Sequence, residues 1–283
     1  MHLFILLIDD KDFIAYTNSE VIDMTRKIDR TGEKMFNNKE LGGYEFIIVE
    51  YNNSRDLWIE FQDEYKARVH TNYTHCLDGK VKNPYHPICY NVGFVGQGEY
   101  NTDTTINSFY YFWHGMLERG YSEAFKNKRP TYKDVKVCDE WHNFQNFAEW
   151  CSNNYYEIEG ERMQLDKDIV CKGNKIYSPN TCIFVPHRIN SLFIKNDALR
   201  GDLPIGVGYD KRRNMYRAYC SIIKKDGNRI TQHVGYYNTP EEAFKAYKTF
   251  KETYIKQIAD EYKDKIPQRL YNAMYAWTVE EDD

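Results

Sequence analysis

Between residues 24 and 98 apolar and polar positions alternate in short runs, Tyr44-Glu45-Phe46-Ile47-Ile48-Val49 and Leu57-Trp58-Ile59-Glu60-Phe61 among them, and Gly42-Gly43 and Asn52-Asn53 break the runs. A period of two between turn residues predicts strands that bury one face, here a small β-barrel or curled sheet. After residue 105 the period lengthens. Phe109, Phe112, Trp113, Met116 and Leu117, then Trp141, Phe144, Phe147, Ala148 and Cys151, fall at helical spacing, which predicts two helices packed through aromatic stripes. A basic turn at residues 126–130 lies between them. Residues 163–193 predict a strand, a Gly173-Asn174 loop, a second strand ending at Val185 and a helix opened by Pro186.

The last third of the chain returns to alternation. Beyond a linker-like Gly201-Asp202-Leu203-Pro204, a period of two places Tyr216, Ala218, Cys220 and Ile222 on one face of a strand and Arg217, Tyr219 and Ser221 on the other. Asp226-Gly227-Asn228 turns the chain into a further strand whose outward set is Arg229, Thr231 and His233. Thr239, Pro240 and Glu242 form a capping box for a helix. Its stripe of Ala243, Phe244, Ala246, Tyr247, Phe250, Tyr254, Ile258 and Tyr262 is expected to cover the inner face of that sheet. The expected architecture is α+β and multidomain: an extension over 1–23, a β-rich module over 24–100, a ββα unit over 105–195, and a three-stranded sheet packed on one helix over 200–275.

Charge singles out one of these modules. The net charge is −4, yet residues 195–235 hold nine Lys or Arg against four Asp, a local +5 that leaves −9 elsewhere. A cationic field confined to one module marks the part that meets a polyanion. The 25 tyrosines fit polyanion contacts and half-buried sheet surfaces, and equally the codon bias of an AT-rich gene. Seven cysteines without a Cys-x-x-Cys pair argue against a zinc knuckle and a disulfide framework, leaving reduced thiols. The apolar run over residues 1–8 stops at Asp9-Asp10, far short of the ~20 residues that span a bilayer. A cytoplasmic protein without a membrane partner is expected. Residues 1–100 carry no motif for chemistry, and a protein-binding surface there stays open.

A strand pair followed by a helix is the layout of a ββα-metal site, in which one divalent ion sits between a carboxylate at the end of the first strand and a polar residue on the helix. Asp166 and Asn190 occupy those two places. Leu165-Asp166-Lys167-Asp168, Gly173-Asn174, Tyr177-Ser178-Pro179, Cys182 and Phe184-Val185, with Trp113, Met116, Arg119, Tyr121, Val137-Cys138, Trp141 and Phe144 to Phe147 upstream, resemble the His-Asn-His (HNH) endonucleases of phages over roughly residues 105–195. The segment from Met24, with Arg30-x-Gly32, Gly43, Trp58 to Phe61 and the Gly79-to-Pro84 close, is similar to an N-terminal module common in phage proteins.

The HNH resemblance implies Mg2+ or Mn2+ as a single cofactor ion held by Asp166 and Asn190, and hydrolysis of double-stranded DNA. It also departs from the family at two positions. Lys167 stands where the general-base histidine belongs, and Thr181 where the central asparagine belongs. A protonated lysine is a poor base, so Lys167 acts after desolvation, gives way to a metal-bound water, or binds the scissile phosphate. His187, three residues before Asn190 on one helical face, is the imidazole that can replace it as base or ligand, or else a surface residue.

Gly206-Val207, Tyr216-x-Ala218, Val234-Gly235-x-Tyr237, Thr239 and Glu242-Ala243 through Ala246-Tyr247 resemble the DNA-binding domain of plant ethylene-response (Apetala-type) factors. That likeness implies a sheet lying in the major groove, with Arg217, Tyr219, Ser221, Thr231 and His233 reading bases and Lys211, Arg212, Arg213, Lys224, Lys225 and Arg229 holding the backbone. Gly208 stands where an arginine is usual. The combined expectation is a phage-type homing nuclease that nicks or cuts duplex DNA in the host cytoplasm. Its rival is a DNA-binding, regulatory or anti-defence protein that keeps the scaffold without cutting.

Overall fold

β-branched and aromatic residues in alternation build the first unit, Met1–His86; the second spans Pro87–Asp283. The computed structural model describes residues 4–9, 12–16, 21–23, 28–105, 108–194, 203–224 and 227–281, with the backbone alone described as far as residue 23. Strands β1 (Phe4–Asp9), β2 (Asp12–Tyr16) and β3 (Val21–Asp23) form an antiparallel sheet in that order. A second antiparallel sheet runs β4 (Lys34–Phe36), β5 (Glu45–Asn53), β6 (Asp56–Phe61) and β7 (Arg68–Thr71), closed below by helix α1 (Tyr73–Leu77). Phe46 faces Phe61 and Ile48 faces Ile59 across the ladder, and with Leu57 these side chains are fully buried. Of the expected barrel or curled sheet, the structure has an open sheet: β4 and β7 are edges that do not pair with each other. The outer face is neutralised by pairs such as Arg68–Glu60 and Lys34–Glu45.

In the second unit, helices α2 (Phe109–Tyr121) and α4 (Phe144–Asn154) follow the predicted stripes, with α3 (Glu123–Lys128) and the short strand β8 (Lys136–Val137) between them. Ser108 and Asn143 cap the two long helices by accepting from the amides of Tyr111 and Gln145. The stripes meet as Trp113, Met116, Leu117, Trp141, Phe144 and Phe147, all fully buried.

Strand β9 (Met163–Asp166) then pairs antiparallel with β11 (Ile183–Pro186), Asp166 opposite Ile183 and Gln164 opposite Val185. Between them β10 (Ile176–Tyr177) leaves the hairpin and pairs in parallel with β8. Helix α5 (His187–Asn190) is a single turn. Pro186 precedes it as the N-cap, as the sequence predicts, and also ends β11, its ψ of 143° keeping it in the ladder opposite Met163. Proline's fixed φ suits both positions, so its presence alone does not separate them.

Strands β12 (Val207–Asp210), β13 (Met215–Ile223) and β14 (Arg229–Tyr237) form the C-terminal antiparallel sheet, followed by α6 (Pro240–Tyr262) and α7 (Gln268–Ala276). Lys225, the turn residue Asp226, Gly201-Asp202 and Met24 lie outside the described residues. Thr239 caps α6 by accepting from the Glu242 amide, while the Glu242 carboxylate accepts from the amide of Asn238, one residue before the cap. Gly206, at φ +73°, lies against the Tyr247 ring so closely that a Cβ would overlap it.

The stripe of α6 does not serve the sheet along its whole length. Ala243 and Tyr247 pack with Val207, Ala218 and Cys220 of the sheet. Ile255, Ile258, Ala259 and Tyr262 pack instead on Ile183, Val185, Ile189 and Leu192, with Leu270 and Met274 of α7. At 1.5 Å per residue a helix of this length spans about 34 Å, too long for one three-stranded sheet to cover. The β9–β11 hairpin is thus a middle layer: Met163, Leu165 and Phe184 face the α2–α4 core, and Ile183 and Val185 face α6. Among the described residues no helix is long and apolar enough to cross a membrane.

Candidate nucleic-acid interface and carboxylate site

Residues directly opposite in an antiparallel ladder share a face. Arg217 lies between Gly208 and Tyr236, Tyr219 faces His233, and Ser221 faces Thr231, so the expected reading set does assemble on the side away from α6. The register holds although Val234 is an extra residue between the pairs Ala218–Gly235 and Tyr219–His233. This bulge keeps His233 outward while Val234 packs toward the helix.

Aromatic rings order the arginines of this face. The Arg217 guanidinium sits 5.1 Å from the Tyr219 ring centre and that of Arg213 4.6 Å from Tyr236. Arg213 also donates to the Tyr236 hydroxyl and pairs with Asp210 at 3.1 Å, and the His233 ring stands 4.6 Å from Tyr236. A Cβ on Gly208 would come within 3.2 Å of Arg217 Nε and of the Tyr219 ring, so glycine makes room for the stacked pair. Planar guanidiniums held against rings lose less freedom when they grip a ligand. Arg212, Lys224 and Arg229 are exposed, and Arg212 engages Asp210 only through its backbone amide. Arg213, expected on the backbone side of a duplex, is part of the aromatic face.

The hairpin places its polar groups differently from one another. Asp166 Oδ1 accepts from the amides of Asp168 and Ile169 at 2.8 and 2.7 Å. Burial, followed by the neighbouring Asp168, pushes its carboxyl up to about 7 in spite of those two bonds. Gln164, two residues earlier on the same face of β9, accepts from Asn190 Nδ2 at 2.6 Å. Asp166 and Asn190 are therefore brought to one face, about 7 Å of strand apart through Gln164. The sequence reading missed Gln164, although a period of two from Asp166 points to it.

Lys167 is turned the other way. Its ammonium pairs with Asp168 at 2.8 Å, lies about 6 Å from the rings of Tyr132 and Tyr177, and is only 8% exposed. Arg119 joins the same cluster, its guanidinium 5.6 Å from the Tyr177 ring, with a buried Nε that has no hydrogen-bond partner among the described residues. His187 is exposed at the other end of the hairpin, where its amide donates to Arg162 and its ring meets Ser191 at 3.5 Å. Four residues of β9 separate that end from Asp166, roughly 13 Å, so the structure does not bring His187 to the carboxylate. Thr181 bonds Ser178 and Ile176 within its own turn. His142 is a satisfied rim residue on Tyr121 at 2.7 Å, its burial lowering its pKa, and His114 is exposed beside Tyr90 and Tyr110. Among the described residues no three His, Cys, Asp or Glu side chains converge.

No family model matches the chain, and neither a curated protein nor a solved structure is significantly similar to it.

Asp166 gives a pH signature. Raised from 3.8 to about 7, its carboxyl binds more protons folded than unfolded, so its contribution to stability is complete below pH ~4 and is lost as pH rises through ~7. Asp166→Asn keeps an oxygen for the two amides and cannot ionise. With chelator present its melting temperature is expected to exceed wild type at pH 8, with the gain shrinking toward pH 5. An equal or lower melting temperature at pH 8 contradicts this.

Proposed function

We propose that this protein holds double-stranded DNA on the outer face of its C-terminal sheet, and that the β9–β11–α5 segment is an HNH-type, one-metal phosphodiesterase centre acting on that DNA. The observation that carries the first part is the row Arg213, Tyr236, His233, Tyr219 and Arg217. It is a cationic and aromatic surface on which, among the described residues, Asp210 is the acid in contact, flanked by exposed Arg212, Lys224 and Arg229. The ring faces are covered by guanidiniums, which favours groove and phosphate contacts over stacking of unpaired bases.

For the centre, the side-chain oxygens of Asp166 and Asn190 are hard ligands suited to Mg2+ or Mn2+, and a half-buried carboxyl raised by desolvation gains from a cation. A metal held there would stabilise charge on the leaving oxygen of a phosphodiester. In support, Asp166 accepts from two amides and Asn190 donates to Gln164, so each candidate ligand is restrained by the chain itself.

A second reading, a DNA-binding protein that no longer cuts, is favoured by the position of the two candidate bases. Lys167 is committed to Asp168 and the tyrosine rings, and His187 lies at the far end of the hairpin. The carboxylate neighbouring Asp166, that of Asp168, is itself paired with Lys167.

The double variant Arg217→Ala/Tyr219→Ala should weaken duplex binding by about ten- to a hundredfold, with a shallower fall of affinity with salt as phosphate contacts are lost; unchanged affinity by fluorescence anisotropy moves the DNA site elsewhere. Supercoiled DNA incubated with protein and Mg2+ or Mn2+ should be nicked by wild type and spared by Asp166→Ala. Intact DNA with wild type under both metals leaves the non-cutting reading.

A further inference from the structure

We infer that Arg188 is a positioning residue that fixes the offset along DNA between the bases held by the sheet and the bond presented to Asp166; this rests on the DNA-binding reading above. Arg188 belongs to α5, the turn that carries Asn190. Its side chain leaves the hairpin and ends in the other module. Nε donates to the carbonyl of Ile223, the last residue of β13, at 3.2 Å, and Nη1 pairs with Glu261 of α6 at 2.8 Å. Its guanidinium also lies 5.7 Å from the Tyr262 ring. Only 11% of the side chain is exposed.

The same Ile223 peptide is gripped from α6. The Tyr254 hydroxyl donates to its carbonyl at 3.0 Å and accepts from its amide at 3.2 Å. Ile223 pairs with Arg229 and stands two residues from Ser221, so the anchored peptide is the end of the reading face. One guanidinium therefore joins the helix of the candidate centre, the end of the central strand of the reading sheet and the helix that packs on both. A fork of donors matches a carbonyl and a carboxylate at once, which a lysine ammonium on a flexible stem does not reproduce. With the fork in place the two modules move as one body, and the step from recognised base to presented phosphate is constant.

The test needs no native cleavage. Cys171, the one exposed cysteine among the seven, lies in the loop after β9 and takes an iron–EDTA chelate, whose radicals cut nearby DNA. Wild type bound to duplex should give a hydroxyl-radical footprint and chelate cuts confined to a few base pairs at one offset from it. Arg188→Met should keep the footprint, with affinity within about twofold, while the cuts spread at least threefold wider. Arg188→Lys should restore melting temperature but not the narrow window. Narrow cuts in Arg188→Met, or a wild-type footprint without directed cuts, overturn the proposal. Absence of any footprint in wild type sinks the DNA-binding reading and this proposal with it. Should Arg188→Met fail to fold, Glu261→Gln removes the ion pair alone and must also broaden the window.

Discussion

The second unit depends on one constraint: α6 has more apolar surface than the sheet beside it can bury. Its first turns close the C-terminal sheet through Ala243 and Tyr247, and its last turns close the hairpin through Ile255, Ile258 and Tyr262. Burying such side chains is worth about 1.5–3 kcal/mol each, and neither core can be completed without the shared helix. The β9–β11 hairpin is held from both faces, which is why a four-residue strand pair can keep Asp166 in a defined place. Contacts such as Lys172 to the carbonyl of Thr278 and Phe193 against Trp277 extend the same coupling to the chain's end.

On this frame the two polar sites obey different electrostatics. The outer sheet face carries solvated cations ordered by aromatic rings, a cheap arrangement in the absence of a partner because water screens it. Asp166 lies partly inside, where burial works against its ionised form. The first site is the one the proposed duplex would meet, and in the second the carboxyl is more stable protonated than ionised.

Much of this was legible in the residues. Alternation in β13 and β14 separated Arg217, Tyr219 and Ser221 from Ala218 and Cys220, because a pleated strand allows only two faces. Phe112, Trp113, Met116 and Leu117 of α2 and Phe144, Phe147, Ala148 and Cys151 of α4 are buried as their spacing predicts, while Phe109 is partly buried and Trp141 lies in the turn before α4. Four features were not legible. The stripe of α6 has one period throughout, and nothing in it marks where one core ends and the next begins. Lys167 follows Asp166 in sequence but projects to the opposite face, so adjacency in a motif hid its pairing with Asp168. Pro186 fits a strand end and a helix start equally well. Arg188 gave no signal, since its partners Ile223 and Glu261 are distant in sequence.

The central claim, that duplex DNA is held by the outer face of the C-terminal sheet, is tested most directly by hydroxyl-radical footprinting of the protein's own side chains, read by mass spectrometry with and without a short duplex. The account predicts that Tyr219, His233 and Tyr236 lose most of their reactivity when the duplex binds, while Trp58 and Tyr65 of the first unit and Phe250 of α6 keep theirs. Protection at Trp58 or Phe250 with Tyr219 and His233 unchanged would contradict it.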